Sequence, residues 1–314
     1  MTAPPSVSAG HVRVHSVLYG NDPERIMQTV AHLDRAADLA IAQGAATTVS
    51  LVYGDSSPRP VLDMDDLQMM RDRFTALSSI ETVFFDGNLG SAKGHNTLIE
   101  QAYANIRAGD AQCDSVLIMN PDVMLAPDAL IELAKPFELE ANALVEARQL
   151  PIEHPKEYNP VSGETDWATT ACALIRLPVI KELNGFDADS FFLYCDDVDF
   201  SWRVRLAGYK LIYQPSAVVF HDKRLGSGGA WKPASSEKYY SAEAALFMAH
   251  KYSRPDIVER LLKVFSESDI DHLSKAATAF LARREKNKLP KPLDKSGKVA
   301  KFFGDFYTEH RFDL

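Results

Sequence analysis

The first two thirds of the chain alternate short apolar runs with longer segments of helical periodicity. The apolar runs are rich in β-branched and aromatic residues and predict four strands, at residues 12–18, 48–52, 82–85 and 116–118. The intervening segments predict helices at residues 23–43, 65–77 and 94–106. This alternation is typical of an α/β layer fold. Because the strands are almost continuously apolar, the pattern favours parallel strands covered on both faces.

The composition changes after residue 235 to residues that favour helices. Helices are predicted at residues 237–252, 255–267 and 269–286, followed by a Lys/Pro-rich linker at 286–298 and a short aromatic and basic tail. We therefore predict a disordered N-terminus at 1–10, a main domain at 11–235 and a helical accessory region at 236–314. Three uses of that region stay open at this point: packing on the main domain, formation of a homodimer, and contact with the inner face of a membrane. The weak amphipathicity of the tail favours ordinary packing.

Bulk composition narrows the class of protein. Of the 314 residues, 46% are hydrophobic and 25% are charged, as in an ordinary globular protein. The chain has 43 acidic and 34 basic residues, and its formal charge of −9 argues against nucleic acid as a partner.

The cysteines and the apolar runs indicate a cellular compartment. Cys113, Cys172 and Cys195 are odd in number and include no CxxC pair, which fits a reducing cytosol. Residues 1–10 lack the basic start and apolar centre of a signal peptide. No apolar run reaches the roughly 20 residues needed to span a bilayer. We expect a cytoplasmic protein, with any membrane contact peripheral and at the inner face.

Polar and glycine residues follow several of the predicted strands directly. They occur at residues 20–22, 54–57, 86–88 and 120–122. In open α/β sheets the ligand site lies beyond the carboxyl ends of the strands. The sequence therefore predicts a ligand site at that edge of the sheet.

An aromatic run at residues 191–194 ends in the carboxylates Asp196, Asp197 and Asp199. Burying an ionised carboxylate costs several kcal/mol unless a cation or a donor compensates it. A catalytic base near a bound cation would explain the cluster. Helix capping by Asp197 or Asp199, ahead of a helix predicted at 198–207, explains it equally well.

Four further segments carry candidate chemistry, and each has a structural alternative. The glycine-bearing turn at 88–96 leads into a helix. Its backbone N–H groups either bind an anion or a ribose, or the segment is only a structural turn and helix start. Asp122 at a strand end suits Mg²⁺ or Mn²⁺, although Asn-Pro-Asp is also good turn chemistry. His221 ends a strand-like run, and an isolated histidine is more often a structural residue than a ligand. Here Lys223, Arg224 and several glycines follow it, as a loop closing on a phosphate requires. Trp167 serves either as core packing or as a platform for a sugar ring.

The order of these segments resembles glycosyltransferase family 2, the inverting GT-A enzymes, and especially their bacterial rhamnosyltransferase-like branch. The resemblance covers about residues 12–229 and rests on the following segments: 21–22, 54–57, 88–96, 120–122, 167–176, 184–187, 191–203 and 215–221. It implies an α/β GT-A nucleotide-diphospho-sugar transferase fold, a Rossmann-like mixed sheet flanked by helices, with a C-terminal helical extension.

The resemblance also implies roles for individual residues. Asp197 matches the catalytic base, with Asp196 as its partner, and Asp122 and His221 match the metal ligands. The donor-binding residues would be Asp55, Asp86, Asn88, Gly90, Asn96, Lys223 and Arg224. Trp167 and Asp199 would bind the acceptor. The chain departs from the family's DxD motif because Asn120 stands at its first position.

The activity implied is transfer of a sugar from a nucleoside-diphosphate donor to a hydroxyl of a surface-polysaccharide or glycolipid acceptor, with Mn²⁺ or Mg²⁺ as cofactor. The branch favours dTDP-rhamnose as donor, and UDP-linked sugars stay open. Three alternatives remain: a non-catalytic glycan- or nucleotide-binding module of the same fold, a sugar-nucleotide pyrophosphorylase, and a haloacid-dehalogenase-like phosphatase. A pyrophosphorylase would have a basic Gly-rich loop just after the first strand, and residues 18–23 of this chain lack it. The phosphatase is suggested only by the DxDx[ST] pattern at 197–201.

Overall fold

A computed structural model of the chain describes residues 9–223 and 234–308. The strands in these ranges are β1 (His11–Leu18), β2 (Thr48–Asp55), β3 (Leu77–Phe84), β4 (Ser115–Met119), β5 (Val123–Leu125), β6 (Asn142–Leu150), β7 (Glu164–Thr165), β8 (Cys172–Arg176) and β9 (Lys210–His221). The helices are α1 (Pro23–Ala42), α2 (Met64–Arg73), α3 (Gly90–Ala108), α4 (Ala129–Ala134), α5 (Leu177–Glu182), α6 (Asp196–Leu206), α7 (Ser235–Lys251), α8 (Pro255–Ser266) and α9 (Asp271–Glu285). A 3-10 turn at Lys135–Glu138 follows α4.

One half of the sheet is parallel, with the strand order β3, β2, β1, β4. Every residue of β4 is buried, and its side chains alternate between two hydrophobic clusters. Leu117 and Met119 pack in the cluster that contains the apolar side of α1, whereas Val116 and Ile118 pack in the cluster that contains Ile99 of α3. Burial on both faces explains why these strands are continuously apolar and confirms the predicted α/β class.

The other half of the sheet is mixed. Beyond β4 the order continues β8, β6, β9, β5, and β7 pairs with β9. The pairs β4–β8, β6–β8 and β5–β9 are antiparallel, while β6 and β9 run parallel. The pairing of β5 with β9 places Val123 directly opposite His221. As a result the turn that carries Asp122 lies beside the end of β9.

The sequence misplaced the boundary between α2 and β3. Helix α2 ends at Arg73, and β3 already begins at Leu77, whereas the pattern predicted a helix to residue 77 and a strand only from residue 82. The strand β3 is at the edge of the sheet, so several of its side chains are solvent-accessible and polar, including Ser78 and Glu81. Such a half-polar strand gives no continuous apolar signal. Residues 1–8 of the predicted disordered N-terminus lie outside the described residues.

The C-terminal helices pack on α6 and share a hydrophobic cluster with it. Trp202 of α6 is fully buried and makes edge contacts with Tyr252, at 4.6 Å between ring centroids, and with Phe302, at 5.3 Å. The segment that follows α9 returns across this cluster toward the carboxyl edge of the sheet. Within the described ranges, no helix combines the length and the apolar character needed to cross a bilayer.

Candidate active site

A cavity of about 730 Å³ opens at the carboxyl edge of the sheet, where the sequence predicts a ligand site. Its walls include the loops after β1 and β2, the start of α3, the turn after β4, the end of β6 and the residues after it, the residues before β8, the loop before α6, the end of β9, the first turns of α7, and Tyr307. Among the predicted site residues, those that line it are Asn88, Gly90, Asp122, Asp196, Asp197, His221 and Lys223. A cavity of similar volume, about 750 Å³, lies beside α3 and α9, and of the predicted residues it contacts Asn96.

Asp122 and His221 meet at one side of this cavity. Asp122 Oδ1 lies 3.3 Å from His221 Nε2, and the backbone N–H of Asp222 donates to the carbonyl of Asp122 at 3.0 Å. Burial acts to raise the pKa of Asp122, but the hydrogen bond and charge of His221, together with Lys223, lower it overall. The Asp122 carboxylate is therefore held ionised, as a cation ligand must be.

Asp196 and Asp197 occupy the first turn of α6 on the other side of the cavity. The loop that delivers them is strained, because Tyr194 and Cys195 both have left-handed φ angles, of 64° and 57°. Such strain is characteristic of functional loops. Both carboxylates start a helix rather than follow a strand, which removes the structural context that the phosphatase motif needs.

Burial raises the pKa of both carboxyl groups of this pair. The pKa of Asp196 rises to about 7, chiefly through burial and then through repulsion by Asp197, although Ser91 Oγ donates to Asp196 Oδ2 at 2.8 Å. The pKa of Asp197 also rises because of burial, opposed by backbone donors of Val198 and Thr170 and by the charge of Lys156. A carboxylate with a raised pKa is the stronger proton acceptor, so the pair suits general-base chemistry near neutral pH.

The start of α3 holds the acidic loop in place. Gly90 has a φ of +69°, and a Cβ at this position would lie 2.3 Å from the carbonyl oxygen of Phe192. The backbone N–H of Ser91 donates to that same oxygen at 3.0 Å. Glycine is therefore required where α3 meets the acidic loop, and Asn88, whose Oδ1 accepts from Gly90 N at 3.1 Å, shapes the turn.

Two predicted donor-binding residues have internal roles instead of facing the cavity. Both carboxylate oxygens of Asp55 accept backbone hydrogen bonds, from Ser57 N at 2.9 Å and Val61 N at 2.7 Å, and Asp55 is 1% exposed. Asn96 is paired with the backbone of Phe186 through both its amide atoms, each at 2.8 Å. Turn carboxylates and amides bind neighbouring backbone as readily as they bind ligands.

The remaining predicted positions also lie away from this cavity or beyond the described ranges. Asp86 is exposed in a left-handed turn, with φ 53°. Trp167 is 4% exposed, and the ammonium of Lys156 lies 4.3 Å from its ring centroid, so this face is covered. Asp199 is fully buried and paired with Arg203 at 2.8 Å and Lys251 at 2.6 Å. Arg224 lies outside the described residues.

Several side chains at the cavity were not predicted from the sequence. Gln149 Oε1 lies 2.8 Å from His221 Nδ1, and Ser91 contacts Asp196 as described above. Tyr240 of α7 stacks on Phe192, at 5.0 Å between centroids, and Tyr307 lines the cavity from the segment after α9. Apart from Ser91, which lies in the 88–96 turn, these residues belong to no motif. The sequence signal for Ser91 is its place in that turn, three residues before the helix predicted at 94–106.

The donor set at Asp122 and His221 fits a divalent cation that is completed by its substrate. Carboxylate and imidazole are both ligands for Mn²⁺, and Mg²⁺ commonly takes one or two protein ligands plus phosphate oxygens. In residues 9–223 and 234–308, no group of three His, Cys, Asp or Glu side chains could hold a metal by itself. A cation here would therefore need oxygens from a bound diphosphate or from water.

Comparisons with known proteins show that the chain is similar to sugar transferases. No protein-family model matches it. It is 28% identical over 189 residues to rhamnosyltransferase WbbL of Escherichia coli K12, an alignment that covers 49% of this chain and 71% of the relative. It is 26% identical over 206 residues to N-acetylglucosaminyl-diphospho-decaprenol L-rhamnosyltransferase of Mycobacterium tuberculosis H37Rv, covering 52% of this chain and 66% of the relative.

Solved structures share the fold. A mannosyltransferase from Pyrobaculum calidifontis, in complex with GDP-Man and Mn²⁺, superposes with a TM-score of 0.54 at 15% identity, covering 88% of this chain and 81% of the other. GalNAc-T7 with UDP, GalNAc and Mn²⁺ superposes with a TM-score of 0.62 at 12% identity, covering 92% and 57%. The predicted GT-A fold is confirmed, and the sequence relatives of the chain are named glycosyltransferases. Within that class, its sequence relatives confirm the resemblance to the bacterial rhamnosyltransferase-like branch.

Proposed function

We propose that this protein is an inverting, metal-assisted glycosyltransferase that moves rhamnose from a nucleoside-diphosphate donor to a hydroxyl of a glycan or lipid-linked acceptor. One observation carries the proposal: the Asp122–His221 pair and the Asp196–Asp197 pair line the same cavity. The first pair suits a cation at the diphosphate, and the second suits a base at the acceptor hydroxyl. The names of the two sequence relatives support rhamnose as the sugar.

The donor would lie with its diphosphate toward Asp122 and His221. A divalent cation bound there would neutralise the negative charge that develops on the leaving diphosphate. Lys223 also lines the cavity and contributes positive charge near Asp122. Asn88 and Gly90, at the start of α3, would face the rest of the donor. The relatives' branch favours a dTDP donor.

The acceptor hydroxyl would approach from the side of α6. Asp197, the less buried member of the acidic pair, takes the hydroxyl proton. The oxygen attacks the anomeric carbon from the face opposite the diphosphate, and the bond from that carbon to the phosphate oxygen breaks. The electron pair leaves with the diphosphate, so the anomeric configuration inverts. Asp196, held by Ser91, stays beside the base, and the charge of Asp197 adds to the effect of burial in raising the pKa of Asp196.

A lipid-linked acceptor would bring the protein to a membrane surface. The name of the mycobacterial relative contains a sugar joined through diphosphate to decaprenol, which supports this class of acceptor. Cosedimentation with vesicles that contain such a lipid tests the contact. Binding that is equal with and without the lipid-linked sugar would argue for a free glycan as acceptor.

The decisive experiment is a transfer assay with a panel of nucleotide sugars, with and without Mn²⁺. We expect dTDP-rhamnose to be used and to raise the melting temperature in the presence of Mn²⁺, because a ligand that binds the native state stabilises it. Asp197→Asn should abolish transfer and leave donor binding intact, whereas Asp122→Ala should weaken Mn²⁺-dependent donor binding.

Asp128→Ala is the matched control, since Asp128 is an exposed aspartate close to Asp122 in the chain and lies outside the cavity lining. Its donor binding and turnover should equal those of the wild type. Wild-type turnover in Asp197→Asn would remove that residue from the mechanism. A donor affinity that is unchanged by Mn²⁺ and by Asp122→Ala would refute the cation site.

A further inference from the structure

Gln149 is a fully buried side chain in β6 that contacts the candidate metal ligand His221. Its Oε1 lies 2.8 Å from His221 Nδ1, and its Nε2 lies 2.9 Å from Thr169 Oγ1. Thr169 Oγ1 lies in turn 2.8 Å from Glu146 Oε1. The side chains of His221, Gln149, Thr169 and Glu146 thus form one buried line of hydrogen bonds, which we call the Gln149 relay.

The far end of the Gln149 relay fixes the direction of every bond in it. Burial raises the pKa of Glu146, and the charge and hydrogen bond of Lys156 at its other oxygen oppose that rise. In the ionised carboxylate both oxygens are acceptors, so Glu146 accepts from Thr169. Thr169 has a single hydroxyl proton, which it donates to Glu146, and it therefore accepts from the amide NH₂ of Gln149. Were the amide reversed, Thr169 would face two acceptors with one proton to give.

The near end of the relay follows from the same count. With its NH₂ on Thr169, Gln149 presents a carbonyl oxygen to His221, so His221 Nδ1 must carry a proton. In neutral His221 the other nitrogen, Nε2, then has a lone pair, and it lies 3.5 Å from the amide nitrogen of Asn120, a donor, and 3.3 Å from Asp122 Oδ1. With Nδ1 protonated, only the imidazolium carries a second proton on Nε2 and donates it to Asp122. The opposite tautomer would donate to Asp122 but would leave Nδ1 and the Gln149 oxygen as two buried acceptors 2.8 Å apart.

We propose that Gln149 is a positioning residue that keeps the proton of His221 on Nδ1 and so presents the Nε2 lone pair to a divalent cation shared with Asp122. The cation belongs to the proposed function, whereas the tautomer rests only on the hydrogen bonds that join His221, Gln149, Thr169 and Glu146. Residues that hold the outer nitrogen of a ligating histidine typically change metal affinity by about 10- to 100-fold when removed. Gln149 is expected to act in this range.

The tautomer can be measured directly without metal. In protein labelled with ¹⁵N-histidine, at about pH 8.5, where imidazole is ordinarily neutral, the ¹⁵N shifts distinguish protonated from bare ring nitrogens. The His221 signals are assigned by their loss in His221→Asn. We expect the proton on Nδ1 in the wild type and a shift toward Nε2 in Gln149→Leu. A wild-type proton on Nε2 would overturn the proposal.

Metal affinity provides the second readout. Titration of Mn²⁺ in the presence of dTDP, followed by electron paramagnetic resonance, should show affinity about 10- to 100-fold weaker in Gln149→Leu. Thr169→Val, which frees the amide of Gln149, should weaken Mn²⁺ binding in the same direction, and Thr169→Ser should restore it. This pair also keeps the test available if Gln149→Leu fails to fold.

A matched control separates positioning from lost stability. Ser201→Ala removes a fully buried hydroxyl that bonds only the backbone of Ala168 among the described contacts. It should lower the melting temperature while leaving the His221 tautomer and the Mn²⁺ affinity at wild-type values. Wild-type tautomer and affinity in Gln149→Leu would refute the role of Gln149. A correct tautomer in a protein that binds no Mn²⁺ would instead refute the proposed cation site.

Discussion

At the scale of single residues, the acidic pair is the feature whose chemistry depends most on its surroundings. Asp196 and Asp197 share the first turn of α6, and burial raises the pKa of both. Two such neighbours titrate as a pair, with apparent values that belong to neither alone. The base must be ionised to accept a proton, so kcat/KM should fall as pH decreases through the raised range. For an isolated aspartate this fall would come near pH 4.

Asp196→Asn tests this coupling. The change keeps the size of the side chain and removes its charge, so the proton affinity of Asp197 decreases. We expect the acid limb of kcat/KM to move to lower pH, by on the order of one pH unit. A pH profile of transfer measures the shift, with Asp128→Asn as the control that leaves the limb in place. An unmoved limb in Asp196→Asn would show that the pair is not coupled.

The carboxylates and the histidine that line the cavity could be predicted from the sequence, whereas their hydrogen-bond partners Ser91 and Gln149 could not. Asp122, Asp197 and His221 stand at strand ends or a helix start, where position alone implies exposure to a ligand. Asp55 has the same kind of position but binds its own loop, and nothing in the sequence distinguishes the two cases. Gln149 could not be predicted, because its role depends on a hydrogen bond with His221, which is 72 residues away in the sequence.

At the scale of elements, strands with polar residues were the hardest to predict. The strand β6 contains Glu146, Arg148 and Gln149, so its apolar run is interrupted and the pattern gave no strand there. Glu146 and Gln149 are nevertheless fully buried, because each is hydrogen-bonded inside the sheet. Because Glu146 and Gln149 of the Gln149 relay interrupt the apolar run, β6 could not be predicted as a strand from the sequence.

The contact between α3 and the acidic loop gives an element-level prediction. Gly90→Ala introduces a methyl group that would overlap the carbonyl of Phe192, so the loop bearing Asp196 and Asp197 must move. Because a displacement of about 1 Å can cost on the order of 100-fold, we expect a loss of kcat of that size. Transfer kinetics and thermal melts measure the two effects separately.

Gly109→Ala is the matched control for this prediction. Gly109 directly follows the last residue of α3 and, like Gly90 at its start, has a left-handed φ, of +80°, but nothing lies within 4 Å of a Cβ placed there. Both variants should lose about 1 kcal/mol of stability or slightly more through backbone strain. Only Gly90→Ala should lose activity. Equal kinetics in the two variants would mean that α3 does not position the acidic loop.

At the scale of the whole molecule, the C-terminal helices are joined to the main domain by buried charges. Lys251 of α7 is paired with Asp187, at 2.6 Å, and with Asp199 of α6, also at 2.6 Å. Tyr252 donates to Asp199 Oδ1 at 3.0 Å. The sequence predicted a separate accessory region at residues 236–314, and that boundary stays a prediction. The helices nonetheless supply part of the cavity wall, through Tyr240.

Asp199→Asn tests whether Asp199 serves the buried ion pairs with Lys251 and Arg203 or the acceptor-binding role that the family resemblance implies. Removing the charge takes the shared partner from Arg203 and from Lys251, of which Lys251 keeps Asp187. Breaking a buried ion pair by removing one partner typically costs about 3–5 kcal/mol. We therefore expect a large loss in the free energy of unfolding, measured by denaturant titration. Asp166→Asn is the control, since Asp166 pairs with Arg205 and Lys301 near the surface and should cost under about 1 kcal/mol. A normal unfolding free energy combined with a raised KM for the acceptor would instead make Asp199 a substrate-binding residue.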